Sequence, residues 1–110
     1  MGVSKIDKFS ESQNQLASLA KVLGHPARIA ILQELFKRDS CICGDLVSEI
    51  GLAQATISQH LRELKNAGLI KGTIDGTSVC YCINLETWKT LKGVLSDFLD
   101  QDITCSSECC

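Results

Sequence analysis

Seven cysteines carry the most distinctive chemistry of this 110-residue chain. Their three groups are Cys41 with Cys43, Cys80 with Cys82, and Cys105 with Cys109 and Cys110. In reducing surroundings such thiols act as ligands for soft ions or as redox centres more readily than as structural bridges. Because the total is odd, the chain cannot pair all of its cysteines internally. Thiol chemistry is therefore the first activity that the sequence indicates.

Cys41 and Cys43 are separated by one residue, and this spacing decides when both reach one ion. On a helix the two side chains would point about 200° apart, whereas in an extended chain they share a side. Thiolates select thiophilic ions, so the predicted effector is trivalent arsenic or antimony, with cadmium and lead as further candidates. Arsenic needs a third sulfur, and no permanently bound cofactor is expected. The tail residues that offer this sulfur are Cys105, Cys109 and Cys110.

Several alternatives stay open for these cysteines. The tail sequence CSSECC, residues 105–110, offers three sulfurs by itself, or lends one to the Cys41 pair of the same or a partner subunit, or carries its thiols incidentally. Cys41 and Cys43 alternatively fill apolar positions, since unligated cysteine is among the most buried residue types. Cys80 and Cys82 share one face of a predicted strand and are able to chelate, although ordinary strand residues are the simpler interpretation.

Residues 52–69 (LAQATISQHLRELKNAGL) have the pattern of a short amphipathic helix. Ile57, Leu61 and Leu64 recur at spacings of four and three residues, so they share one face and are expected to pack inward. Gly68 is expected to end this helix, because a left-handed residue just past the last turn is cheapest for glycine.

The opposite face of the predicted helix is polar, with amides and hydroxyls suited to base edges and cations suited to phosphates. A shorter apolar stripe at residues 45–50 precedes it, and Gly51 separates the two. Two short helices joined by a glycine-containing turn are typical of a helix-turn-helix motif, so double-stranded DNA is the first predicted partner. The candidate DNA contacts on the helix are Gln54, Thr56, Ser58, Gln59, His60, Arg62 and Lys65.

After residue 69 the apolar period changes from about 3.6 residues to about 2, which indicates a pair of strands. Asp75 and Gly76 stand between two alternating runs, residues 69–74 and 77–83, and form one of the strongest short signals for a hairpin. A hairpin that directly follows a helix-turn-helix is a wing. The wing residues expected to reach phosphates or the minor groove are Lys71, Thr73, Thr77 and Ser78.

The segments 13–23 and 85–99 have apolar faces at helical spacing that a lone small domain would not cover. Pairing these helices across a twofold axis would cover them and give a homodimer. The same axis would set two DNA-contacting helices about one turn of duplex apart, so the predicted operator is an imperfect inverted repeat. The predicted fold class is mainly α with a small β-hairpin wing.

Three passages together resemble the ArsR/SmtB family of dimeric winged-helix repressors, which sense metals or other thiol-reactive signals. These are LGHPARIAIL at residues 23–32, LAQATISQHLRELKNAGLI at 52–70 and KGTIDGTSVCYCIN at 71–84. In the first, Pro26 takes a first helical position, where its missing N–H costs nothing. The resemblance implies a winged helix-turn-helix, a homodimer built from N- and C-terminal helices, and a repressor that leaves its operator when a thiophilic ion binds.

Metal ligands are carried over from this resemblance by type of motif. Arsenic and cadmium sensors of the family have a cysteine pair written like ELCVCDL, and the corresponding SCICGDL here contains an added Gly44. The implied ligands are Cys41 and Cys43. A second family site, for zinc or cobalt on the C-terminal helix, is excluded because apolar, hydroxyl and amide side chains occupy its ligand positions. Those positions are Leu85, Thr87, Phe98 and Gln101.

Two other functions compete with an ion-sensing repressor. One is a repressor switched by a reversible disulfide or persulfide between the same cysteines. The other is a thiol-rich metal-binding protein without a DNA role. An enzyme is not expected, because a catalytic cysteine needs a positioned histidine and neither His25 nor His60 obviously supplies one.

Composition sets the remaining expectations. We expect a winged-helix and dimerisation domain at residues 1–99 and a cysteine-containing tail at 100–110. The first residues lack the apolar core of a signal peptide, and no apolar run approaches the roughly 18 residues of a membrane span, so a cytoplasmic protein is expected. The net charge of −2 argues against DNA. Residues 54–83, however, carry three basic against two acidic side chains, and the acidic excess lies in residues 84–110, so salt-sensitive binding is expected.

Overall fold

The computed structural model describes residues 8–38, 41–43, 50–74 and 79–103. Their elements are helix α1 (Glu11–Leu23), helix α2 (Pro26–Arg38), strand β1 (Ile42–Cys43), helix α3 (Gln54–Asn66), strand β2 (Ile70–Thr73), strand β3 (Cys80–Ile83) and helix α4 (Leu85–Leu99). The predicted fold class, mainly α with a small wing, is confirmed.

Local capping explains where the outer helices begin. Ser10 precedes α1, where its Oγ accepts a hydrogen bond from the Gln13 backbone N–H at 3.1 Å, and Gln13 Oε1 accepts from the Ser10 N–H at 2.9 Å. This reciprocal capping box starts the helix two residues before the predicted segment 13–23. Pro26 is the first residue of α2, as predicted. Asn84 caps α4, whose bounds coincide with the predicted 85–99.

Helix α3 lies inside the predicted segment 52–69. Its apolar side chains Ile57, Leu61 and Leu64 are fully buried, as their spacing predicts. Gly68 has a φ of +83°, a left-handed conformation that ends the helix two residues after its last helical position.

The three strands form an antiparallel sheet in the order β1-β3-β2. The sequence predicts only the hairpin of β2 and β3, because a two-residue strand such as β1 is too short to show a period. Gly72 in β2 has a φ of +127°, and a Cβ at that position would overlap the carbonyl oxygen of Cys80 on β3. Glycine is therefore required for this close pairing of the two wing strands.

The core lies between α2, α3 and the inner face of the sheet. The core residues all have an apolar or aromatic side chain that is almost completely buried. They include Ile31, Leu32 and Leu35 of α2, Ile57, Leu61 and Leu64 of α3, Ile42 of β1, Tyr81 of β3 and Leu91 of α4. Burying a side chain of this size contributes about 1.5–3 kcal/mol. This packing fixes which face of α3 points away from the protein.

Some predicted features lie outside the described residues. These are most of the first helix of the motif (residues 45–50), the turn at Asp75 and Gly76, the wing residues Thr77 and Ser78, and the tail cysteines Cys105, Cys109 and Cys110.

A polar contact also joins α2 to α3. The side chain of His60 is only 8% exposed, and its Nδ1 accepts a hydrogen bond from Arg28 Nε at 3.2 Å. Arg28 Nη1 donates to the Val22 carbonyl oxygen at 3.2 Å, and the ring of His25 lies 4.3 Å from the His60 ring. Burial, followed by the nearby His25 and Arg28, lowers the pKa of His60. The folded protein therefore prefers neutral His60.

This preference predicts a pH dependence of stability. The unfolded chain binds a proton at His60 as the pH falls through 6.5, whereas the folded chain resists protonation until a lower pH. The free energy of unfolding should consequently fall as the pH drops below about 6.5 and level off below the folded pKa. Urea unfolding at pH 7.5 and 5.5 should show a larger loss for the unaltered protein than for His60→Gln. Equal losses in the two proteins would contradict the role of His60.

Candidate DNA interface and cysteine face

The polar face of α3 points away from the core. On this face Ser58 is half-buried, and five other predicted DNA contacts are exposed. The exposed residues are Gln54, Thr56, Gln59, Arg62 and Lys65. The buried stripe on the opposite side leaves them on one outward surface, where amide, hydroxyl and cationic groups stand together. Such a surface has the donors and acceptors that base edges and phosphates require.

Side-chain hydrogen bonds run along this face between successive turns. Gln54 Nε2 donates to Ser58 Oγ at 3.2 Å. Arg62 Nη1 donates to Gln59 Oε1 at 3.1 Å, and Gln59 Nε2 donates to Glu63 Oε1 at 3.2 Å. A base edge would compete with these exposed bonds for the donor and the acceptor of the Gln59 amide.

His60 does not belong to this surface, although it was among the candidate DNA contacts. It is buried against α2 and bonded to Arg28, because its position in the helix follows the apolar stripe and not the polar face. We therefore assign it to the positioning of α3. On β2, Lys71 and Thr73 are exposed.

Cysteines form a second feature, on the outer face of the sheet. Ile42 of β1 is paired with Tyr81 of β3, and both side chains are buried. Because successive side chains of a strand point to opposite faces, the cysteines on either side of these two residues point outward. Those cysteines are Cys41, Cys43, Cys80 and Cys82. The prediction that Cys80 and Cys82 share a face opposite Tyr81 agrees with this arrangement.

A disulfide joins Cys43 to Cys80, which are directly opposite each other across β1 and β3. One step along the same pair of strands, Cys41 and Cys82 are thiols, with Cys41 exposed and Cys82 partly buried. A hydrogen bond from Cys82 to Cys41, followed by burial, raises the pKa of Cys82, and the ammonium of Lys71 opposes this rise. The sequence spacing groups the cysteines within each segment and does not predict this pairing between segments. Its only signal was that both segments have the same one-residue spacing.

The predicted ion ligands are only partly brought together. Cys41 and Cys43 do lie in an extended segment, but the sulfur of Cys43 is bonded to Cys80. Within the described ranges, no group of three or more histidine, cysteine, aspartate or glutamate side chains is arranged to hold a metal ion. An ion bound by Cys41 and Cys43 would therefore require the disulfide to open first.

Among the helices of the described residues, none is long and apolar enough to span a bilayer. The described part of the chain thus gives no membrane-spanning helix.

Comparison with known proteins gives one family. The profile described as "Bacterial regulatory protein, arsR family" matches residues 25–71. The uncharacterized HTH-type transcriptional regulator MJ1325 of Methanocaldococcus jannaschii is 38% identical over 74 residues, which cover 66% of this chain and 82% of that protein. The uncharacterized HTH-type transcriptional regulator Rv0081 of Mycobacterium tuberculosis is 40% identical over 67 residues. That match covers 61% of this chain and 59% of the length of Rv0081.

Solved structures agree with this assignment. The crystal structure of Rv0081 from M. tuberculosis has a TM-score of 0.59 and 32% identity, over 83% of this chain and 95% of that chain. NolR from Sinorhizobium fredii has a TM-score of 0.60 over 93% of this chain and 99% of that chain, and at 24% identity it shows likeness of fold alone. From the matched helix-turn-helix region, the shared fold and the identity to MJ1325, we conclude that the chain belongs to the arsR family of bacterial regulatory proteins.

Proposed function

We propose that this chain is a homodimeric transcriptional repressor that binds duplex DNA through the outer face of α3 and releases it when its cysteines react. The observation that carries the proposal is the division of α3 into two faces. Ile57, Leu61 and Leu64 are fully buried, so the helix cannot rotate without losing core contacts. The exposed amides and cations are thereby held in one fixed direction, as contact with a DNA groove requires.

The start of α3 supports a contact with phosphate. Ala53 precedes the helix and has no side-chain group that could cap it, so the first-turn N–H groups are not satisfied by their N-cap residue. The positive end of the helix dipole and these N–H groups together favour an anion. Lys65 in the last turn of α3 and Lys71 on the wing strand β2 add exposed positive charge.

Exposed apolar side chains support the homodimer. A groove of about 400 Å³ runs between α2 and α4, with Leu32, Leu91 and Leu95 among its lining residues. Its lining also includes Ile29, which is 37% exposed, and Leu99 at the end of α4, which is 72% exposed. A second copy placed on this face would remove these side chains from water, with a gain of about 25 cal/mol for each Å² covered.

The disulfide between Cys43 and Cys80 supports oxidation as the release signal. It ties β1 to the wing strand β3, and β1 lies directly before the segment predicted as the first helix of the motif. Opening or closing this bond therefore acts on both sides of α3. In this proposal the reduced dimer represses, and oxidation by a peroxide, which accepts the two electrons lost by the thiols, weakens its grip on DNA.

A thiophilic ion is the second candidate signal, and it rests on the family resemblance and on the shared direction of Cys41 and Cys43. In reduced protein both sulfurs would be available to trivalent arsenic or antimony, or to cadmium or lead. The third donor would come from Cys105, Cys109 or Cys110 in the tail. A coupling of about 1–3 kcal/mol between ion and DNA is enough for release.

DNA binding is tested by fluorescence anisotropy with a duplex from the promoter region of the chain's own gene. Gln59→Ala should lower the preference for this duplex over a scrambled one by about 1–3 kcal/mol, because it removes a candidate base contact. Lys65→Ala should weaken binding to both duplexes alike and reduce the salt dependence by about one ion. Lys89→Ala, at an exposed position of α4, serves as the matched control and should change neither quantity. A reduced dimer that ignores every duplex at low ionic strength would overturn the proposal.

The two release signals are separated by two double variants, each assayed as reduced protein on the same duplex. Cys43→Ser with Cys80→Ser should abolish release by hydrogen peroxide, since no disulfide can form between those positions. Cys41→Ser with Cys43→Ser should keep DNA binding and abolish release by arsenite or cadmium. Release by peroxide that persists in the first variant would refute the disulfide as signal. Release by arsenite that persists in the second would refute Cys41 and Cys43 as the ion site.

A further inference from the structure

Three residues of the outer sheet face form a row across all three strands. Lys71 of β2 is paired with Cys82 of β3. The register of β1 with β3 places Cys41, which directly precedes β1, beside Cys82 on the other side. Side chains of directly paired residues point to the same face, so an ammonium and two thiols stand in line. The thiols contact each other through a hydrogen bond.

The Cys41 and Cys82 pair has the same place in the strand ladder as the disulfide beside it. Cys43 and Cys80 are opposite each other and are bonded. Cys82 lies two residues after Cys80, and Cys41 lies two residues before Cys43. These two cysteines therefore repeat the same opposed relation, but as thiols. Loss of two electrons would join them with no change in strand register.

An apolar groove of about 330 Å³ opens onto this second pair. The groove is walled by α2, the end of β3 and the start of α4, and Phe36 meets Trp88 edge to face at a centroid distance of 4.9 Å. Among the described residues of its lining, Lys71 is the charged one and none is a carboxylate. The lining consists of Leu35, Phe36, Cys41, Lys71, Cys82, Ile83, Leu85 and Trp88.

We propose that this groove binds apolar organic hydroperoxides, which oxidise Cys41 and Cys82 to a second disulfide. The chemical class of the ligand follows from the apolar wall of the groove and from the two thiols at its end. The apolar wall accepts a hydrocarbon body, and the thiols accept the oxidising group at its end, beside a disulfide that shows the same chemistry already completed. The proposal deepens the proposed function by naming a class of signal, and only its effect on DNA rests on that function.

The reaction balances without any further reagent. Cys41 is the more exposed of the two, so its sulfur attacks the terminal oxygen of the hydroperoxide. The O–O bond breaks, Cys41 becomes a sulfenic acid, and the proton that its thiol loses ends on the departing alkoxide, which leaves as an alcohol. The thiol of Cys82 then attacks the sulfenic sulfur and water leaves. Two thiols are oxidised to one disulfide, and one hydroperoxide is reduced to one alcohol and one water. Lys71 lines the same groove and would supply a positive charge for the alkoxide.

The test uses full-length protein in which Cys105, Cys109 and Cys110 are serine, so that four cysteines remain. Trp88, the only tryptophan, lines the groove and reports the reaction through its fluorescence in stopped flow. Cumene hydroperoxide and hydrogen peroxide are compared, each rate constant divided by that for free cysteine. We expect the ratio to favour cumene hydroperoxide by at least about tenfold. For analysis of the product, Cys43→Ser and Cys80→Ser are added, because Cys41 and Cys43 would otherwise stay on one peptide. Mass spectrometry after chymotryptic cleavage at Tyr81 should then show the peptide of Cys82 joined to the peptide of Cys41.

Two matched variants test the groove. Leu85 is 67% exposed at the start of α4, where Leu85→Glu is compatible with the helix and places a charge in the groove. In the Leu85→Glu variant, the normalised rate ratio of cumene hydroperoxide to hydrogen peroxide should fall by about tenfold. Thr90→Glu puts the same charge on an exposed position of α4 outside the lining and should keep the preference.

A third variant tests the pair itself. Cys82→Ser should stop the reaction at a sulfenic acid on Cys41, which dimedone traps. Equal normalised rates for the two peroxides, or a product without the bond between Cys41 and Cys82, would overturn the proposal. None of these measurements uses DNA, so their failure would leave DNA binding untouched, and failed DNA binding would leave them intact.

Discussion

The antiparallel pairing of β1 with β3 is the constraint on which the chemistry of this protein depends. It joins segments separated by 37 residues along the chain, and the resulting loss of chain entropy must be offset by burial. Ile42 and Tyr81 supply that burial, since each is 1–2% exposed. Because side chains alternate along a strand, the residues next to Ile42 and Tyr81 must point to the outer face of the sheet. Four cysteines face outward because the residues between them face inward.

The same pairing connects cysteine chemistry with α3, the helix proposed to contact DNA. Strand β1 precedes α3 in the chain, and the wing strand β3 follows it. The strands that carry the cysteines therefore flank α3 in the sequence on both sides. Helix α3 itself is held by a buried apolar stripe and by the bond between Arg28 and His60. In the proposed function, a rigid α3 would convert a small change at its flanks into a change in the direction of its polar face, since packed interfaces favour discrete arrangements over continuous bending.

Much of the fold follows from local signals in the sequence. The limits of α4, the place of Pro26, the turn at Gly68 and the inner face of α3 all follow from periodicity and from residues with special backbone preferences. The opposite faces of Tyr81 and Cys82 follow from alternation alone. Each of these depends on residues that are close in sequence, where pattern and physics are directly linked.

The rest depends on contacts between distant residues. Strand β1 is two residues long, and only its partner across the sheet identifies it as a strand. The link from Cys43 to Cys80 and the contact of Cys41 with Cys82 follow from that register, which no local pattern encodes. The polar side chain of His60 predicts a DNA contact, yet Arg28 on α2 hydrogen-bonds to its ring and permits its burial.

A redox titration of the DNA complex tests most directly whether the cysteine face controls α3. The reduced dimer, bound to a labelled duplex from its own promoter region, is equilibrated in glutathione buffers of increasing potential. Anisotropy reports the bound fraction, and mass spectrometry of quenched samples reports the fraction of Cys43 joined to Cys80. The account predicts that both quantities change with one midpoint, the DNA leaving as the bond closes. A disulfide that closes completely while the anisotropy stays constant would contradict it.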